Sequence, residues 1–134
     1  MWRARDRRVR RELSSGHDFS GQTFDRTRLV GLDLRRKGFV RASFQSADLT
    51  EADLRFAVLR EANLKNAFLT GAQLEGADLP GAVLDGAYLL AADFGGALLD
   101  GATFSGALWD QSTTWPQGFR PPWANVGLWH GRHD

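Results

Sequence analysis

Few residues in this chain are of a type and spacing that could do chemistry. There are 3 histidines and no cysteine, which removes disulfides, thiolate zinc sites and cysteine nucleophiles and agrees with a reducing compartment. His130 and His133 stand three apart with Asp134 beside them, but a metal ion needs more ligands, and the spacing reads as a frayed end. His17 is a lone polar residue. No nucleophile elbow, P-loop or H-E-x-x-H segment occurs. The sequence predicts no catalytic residue, no metal site and no cofactor.

The arginines make a sharper case. "RARDRRVRR" places six of them between Arg3 and Arg11, enough to neutralise a run of phosphates as a nucleic-acid arm. No recognised motif accompanies them, and Trp2, Val9 and Leu13 fall near one helical stripe. A cap helix over residues 1–16 is therefore favoured over direct nucleic-acid binding. The polar stretch that follows does not suit an export signal, and no apolar run nears the length of a membrane span. The expectation is a cytoplasmic protein with no membrane contact.

At 134 residues and 43% hydrophobic, the chain is expected to form one domain with a buried core. Its net charge of +1 conceals a split: residues 1–65 carry 15 Lys/Arg against 9 Asp/Glu, and residues 66–134 carry 2 against 7. Such a split steers partners without naming them.

What positions these groups is a period of five. From Phe19 through Leu64 to Trp109, a large apolar residue recurs at every fifth position without a slip, giving 19 centres, and Ala stands two residues before each of them from 42 to 107. The earlier repeats put His17, Gln22, Thr27, Leu32 and Lys37 in the Ala position. In an α-helix a step of five turns the side chain about 140° beyond a full turn, so the centres would share no face. In a continuous strand an odd step sends alternate centres to opposite faces. The Ala and its centre are two apart, however, which is strand spacing. Each repeat is thus read as a short extended piece pointing both inward before the chain turns a corner, and repeated corners close a coil. Gly31, Gly71, Gly76 and Gly81 occupy corners, but so do Arg36, Arg41, Glu51 and Phe56, so the corner must tolerate ordinary residues. Pro80, beside a centre, suits an exposed turn.

The segments "ADLTE", "ANLKN" and "ADLPG" resemble the A-(D/N)-L-X-X motif of the pentapeptide-repeat family, over residues 17–111. The resemblance implies an all-β fold, a right-handed quadrilateral β-helix of nearly five coils with terminal caps. The segment "TTWPQGF" resembles the T-x-W-P-x-G-F stretch that often follows the repeats, which makes residues 112–134 an aromatic cap or tail containing Trp115, Phe119, Trp123 and Trp129.

With 20 residues per coil, residues twenty apart stack in columns. One column reads Arg28, Asp48, Phe68, Tyr88 and Leu108, with Leu90 beside Tyr88. It turns apolar, either to pack against the tail's tryptophans or to form a protein-binding or homodimer surface. A second reads Asp33, Asp53, Gln73 and Asp93, and Glu75, Asp78, Asp85, Asp100 and Asp110 add to an acidic half. Outward carboxylates on a convex rod lack a pocket to shift their pKa, which argues against an enzyme. The preferred function is a non-catalytic scaffold or protein-interaction module with an unidentified protein partner. The alternative implied by the family is a DNA mimic that binds DNA gyrase or another topoisomerase, which Arg26, Arg28, Arg35, Arg36, Lys37 and Arg41 on the first half oppose.

Overall fold

The computed structural model describes residues 3–121. From Asp18 onward the chain winds into a coil in which each bridged residue up to Tyr88 pairs in parallel with the one twenty further on. Asp18 pairs with Gly38, Gly38 with Val58, Val58 with Asp78 and Asp78 with Leu98, and three more series run through 23–103, 28–108 and 33–93. With a corner every five residues, that stagger makes the coil four-sided. Each side contributes a single bridged residue, the one just before the centre.

Backbone hydrogen bonding explains why five residues suffice. In the repeat around Phe44, the centre donates its N–H to Asn63 O at 2.7 Å and the corner residue Ser46 donates to Lys65 O at 2.9 Å. Ser43 N donates back to Gln22 O at 2.9 Å, and Ala47 N closes the turn on Phe44 O at 3.0 Å. Four of five N–H groups are satisfied within the ladder and its turn, and the fifth, just after the centre, is left over. Pro80 sits at such a position and has no N–H to satisfy.

Every corner from 21 to 106 lies in the left-handed region, with φ between 57° and 74°. With only the third turn residue at positive φ, these are type II turns, which favour glycine there. Nine corners nevertheless carry side chains, including Arg36, Glu51, Phe56 and Asn66. Those side chains lean over the corner one coil on: the Phe56 ring covers Gly76 and the Asn66 amide covers Gly86, so closely that a Cβ at either glycine would strike them. Glycine in the later coils thus relieves both the backbone and the crowding.

The interior holds the centres and the alanines, all fully buried from Phe39 to Leu89. Aromatic rings gather toward the ends. Phe24 stacks on Phe44 at 5.1 Å, and Phe94 stacks on Trp115 at 5.1 Å. Trp109, the final centre, keeps the register, since Leu108 just before it bridges Tyr88; it is partly buried, and the next bridge spans 21 residues, from Asp93 to Thr114. One extra residue in the loop after Trp109 brings Thr113 into the inward position, where its hydroxyl donates to Leu89 O at 2.8 Å. Trp115, which lies outside the five-residue register, therefore sits over Phe94 as a core residue would.

At the other end a helix α1, Ala4–Ser15, buries Asp6, Val9 and Leu13. The first coil has no neighbour beneath it, so its backbone groups lack their usual partners. Side chains of α1 replace them. Asp6 accepts from Arg28 N at 3.2 Å, Arg5 donates to Asp25 O, and Arg10 donates to Val30 O at 3.4 Å. Trp2, Trp123, Trp129, His130, His133 and Asp134 lie outside the described residues. No helix among the described residues is long and apolar enough to cross a membrane.

Candidate functional site

With the interior filled by apolar side chains, chemistry is confined to the outer sides and the ends. Two adjacent sides differ most.

On the side running through Asp33, Asp53, Gln73 and Asp93, the residue before the centre is mainly a carboxylate, and it has a structural task. Asp93 Oδ1 accepts from Gly95 N at 2.9 Å, and Asp33 and Asp53 accept from Arg35 N and Arg55 N at 3.2 Å. These are the N–H groups that the ladder leaves over, captured in Asx turns. The arginines then fold back onto the carboxylates. Arg35 meets Asp33 at 2.9 Å and Asp53 at 3.6 Å, and Arg55 meets Asp53 at 2.7 Å. Hydrogen bonds from Arg35 hold the Asp33 carboxyl at a pKa of about 2, and those from Arg55 hold Asp53 below its ordinary value.

On the side running through Arg28, Asp48, Phe68, Tyr88 and Leu108, the same position changes character. Asp48 still caps Thr50 N at 3.1 Å. One and two coils on, Phe68 and Tyr88 replace the cap with aromatic rings stacked 4.7 Å apart at an interplanar angle of 6°. Phe68 is 41% exposed and Leu90, beside Tyr88, is 37% exposed. Leu108 bridges to Tyr88 and is half-buried. The structure thus brings Phe68, Tyr88, Leu90 and Leu108 onto one outer face.

It does not gather the six carboxylates of the later coils. Glu75 and Asp93 share one side, Asp78 and Asp100 a second, and Asp85 and Asp110 lie on the other two. Several are already engaged: Asp78 pairs with Arg60 at 2.7 Å, Asp85 accepts from Ser105 N at 3.1 Å, and Asp110 accepts from Ser112 N at 2.9 Å. The sequence reading missed the capping role of Asp33, Asp53 and Asp93, although the recurrence of Asp or Asn before the centre was its signal. Arg5 and Arg10 were also read only as a basic cluster. Their separation of five matches that of Asp25 and Val30, whose carbonyls they meet.

The comparisons agree with this architecture. A profile described as pentapeptide repeats matches residues 39–72 and 69–106 in 8 copies. Among solved structures, the pentapeptide repeat protein alr5209 from Nostoc PCC 7120 is 32% identical, with 89% of this chain and 88% of that one covered at a TM-score of 0.61. AT2G44920, a pentapeptide repeat protein from the Arabidopsis thaliana thylakoid lumen, is 28% identical, with 72% and 63% covered at a TM-score of 0.49. QnrB1, a plasmid-mediated fluoroquinolone resistance protein, is 20% identical, with 70% and 58% covered at a TM-score of 0.43. No curated protein matches the sequence. By its unbroken five-residue register, its twenty-residue bridges and this profile match, the chain belongs to the pentapeptide-repeat family.

Proposed function

We propose that the chain is a non-catalytic interaction module whose docking surface for a protein partner is formed by Phe68, Tyr88, Leu90 and Leu108. The observation that carries this reading is the stacked Phe68–Tyr88 pair on an outer face whose column begins with Arg28 and Asp48. A partner that covers both rings removes apolar surface from water, and the centre of such a patch dominates binding energy. In this reading the scaffold is a right-handed β-helix of nearly five coils over residues 17–111. Residues 1–16 and 112–134 close its ends, and the protein works in the cytoplasm.

Affinity capture from the native host, with wild type and a folded Tyr88→Glu variant as baits, tests the reading. A protein held by the wild type and lost by the variant supports it, and identical sets of captured proteins refute it. Light scattering across a concentration series tells whether the partner is a second copy.

The acidic character of residues 66–134, with 7 Asp/Glu against 2 Lys/Arg, favours the second reading, a DNA-mimicking binder of gyrase or another topoisomerase. Against it, Asp78, Asp85, Asp93 and Asp110 spend their carboxylates on the chain itself. Supercoiling by purified gyrase in the presence of the protein decides between the two, since only the mimic inhibits.

A further inference from the structure

The inward position two residues before each centre is Ala from 42 to 107, but His17, Gln22, Thr27 and Leu32 hold it in the first coil and Lys37 at the start of the second. Of these, Thr27 is buried and Leu32 packs partly against the core, whereas His17 and Gln22 are exposed and Lys37 is half-buried. Beneath the first coil there is no further coil, so the larger of these side chains reach the surface at that end. Three of them converge. His17, Leu32 and Lys37, with Arg35, Arg36 and the last turn of α1 at Ser14, line a cavity of about 580 Å³. That volume falls inside the range of roughly 300–1,000 Å³ common for small-molecule sites.

The cavity is cationic over an apolar floor. Asp33, the carboxylate of its lining, is bound by Arg35 at 2.9 Å. Lys37 donates to Gly16 O at 2.7 Å, which uses one of its three N–H groups. The Arg36 guanidinium rests over the Phe56 ring, 4.8 Å from its centroid, and forms no ion pair among the described residues. The ring fixes the plane of that guanidinium and leaves its donors unspent, an arrangement suited to phosphate or carboxylate oxygens. Half-buried Leu32 supplies the apolar surface.

We propose that this cavity binds a small multivalent anion, a phosphorylated or polycarboxylate molecule, through Arg36 and Lys37. A nucleic acid fits the same charge less well. The site is concave and closed on one side by α1, and Arg5 and Arg10, which could extend a phosphate track, serve backbone carbonyls instead. The proposal does not depend on the Phe68–Tyr88 surface.

The test titrates the full chain with inorganic pyrophosphate and, separately, with citrate, at about 0.15 M salt to screen diffuse attraction, and follows backbone amide shifts by NMR. Saturable shifts confined to residues 14–18 and 32–38 are expected for at least one of the two. Pyrophosphate alone would identify a phosphoryl ligand, citrate alone a polycarboxylate, and both a general polyanion. Arg36→Gly keeps the fold, because its corner has a φ of 62° that glycine adopts freely, and should weaken binding roughly tenfold. Lys37→Met should weaken it as well. Equal affinity in Arg36→Gly, shifts spread over all the arginines, or no saturable binding of either anion would overturn the proposal. So would binding of a short DNA duplex in place of both.

Discussion

The side through Asp33, Asp53, Gln73 and Asp93 and the side through Arg28, Asp48, Phe68, Tyr88 and Leu108 share one backbone ladder, yet they use the position before the centre differently. On the first, carboxylates satisfy the leftover N–H and then hold Arg35 and Arg55. On the second, the rings at 68 and 88 leave the N–H groups of Thr70 and Leu90 without a side-chain acceptor among the described residues. The ladder continues unchanged, with Phe68 N bonded to Ala47 O and Tyr88 N to Ala67 O, both at 2.9 Å. The cap is thus an addition to the coil and not a condition of it, a conclusion that uncapped Val58 and Val83 on the remaining sides support. Because an exposed N–H can turn to water, the position is free to take another role.

The largest way to break this comparison is to move one residue along, from the outer column into the core. Leu89→Asp places an unpaired carboxylate in the stacked interior and should cost about 4 kcal/mol or more. Tyr88→Asp, its neighbour, reproduces the Asp48 arrangement and should stay within about 1 kcal/mol of wild type, since a restored cap offsets a lost ring stack. Thermal melts that show equal losses for the two would refute the assignment of inner and outer positions.

A middle-sized effect is expected on the charged side. Asp53→Ala strands the Arg55 N–H and removes the acceptor shared by Arg35 and Arg55, for a loss of about 1–2 kcal/mol. Asp33→Ala, on a carboxylate 63% exposed, should lose much less. Urea melts of the two variants at low salt check the order.

The smallest effect is in pH. Asp33 has a folded pKa of about 2 and Asp53 is also held low, each below its unfolded value of 3.8. Their contribution is complete above the unfolded value and is lost as pH falls through the folded one. The melting temperature should therefore decline between pH 4 and pH 2, and less so in the Asp33→Ala, Asp53→Ala double variant. Parallel profiles would show that these pairs contribute nothing.

The coil was legible in the sequence because its cause is local and repeated: a centre, an Ala two residues earlier and a corner. The cost of the corner was less legible. Arg36, Glu51 and Phe56 looked like proof of a permissive turn, but each holds a left-handed φ that only ladder and packing enforce. The register ran to Trp109 as the spacing suggested, since Leu108 still bridges Tyr88, but the extra residue beyond it, which places Trp115 over Phe94, had no signal in the period of five. The columns followed from the coil length, so Phe68, Tyr88 and Leu108 could be brought together in advance. The pairing of Asp78 with Arg60 and the capping by Asp85 and Asp110 could not be foreseen, since they depend on which side chain lies diagonally across the coil and on which N–H groups the ladder leaves over.

The central claim is that the Phe68–Tyr88 side meets a partner while the charged side does not. A photo-crosslinking amino acid placed at position 88 and, in a second protein, at position 73 tests it inside the native host, because Tyr88 and Gln73 hold equivalent places on adjacent sides. The account predicts a protein adduct from position 88 and none from 73. Equal adducts from both, or an adduct from 73 alone, would contradict it.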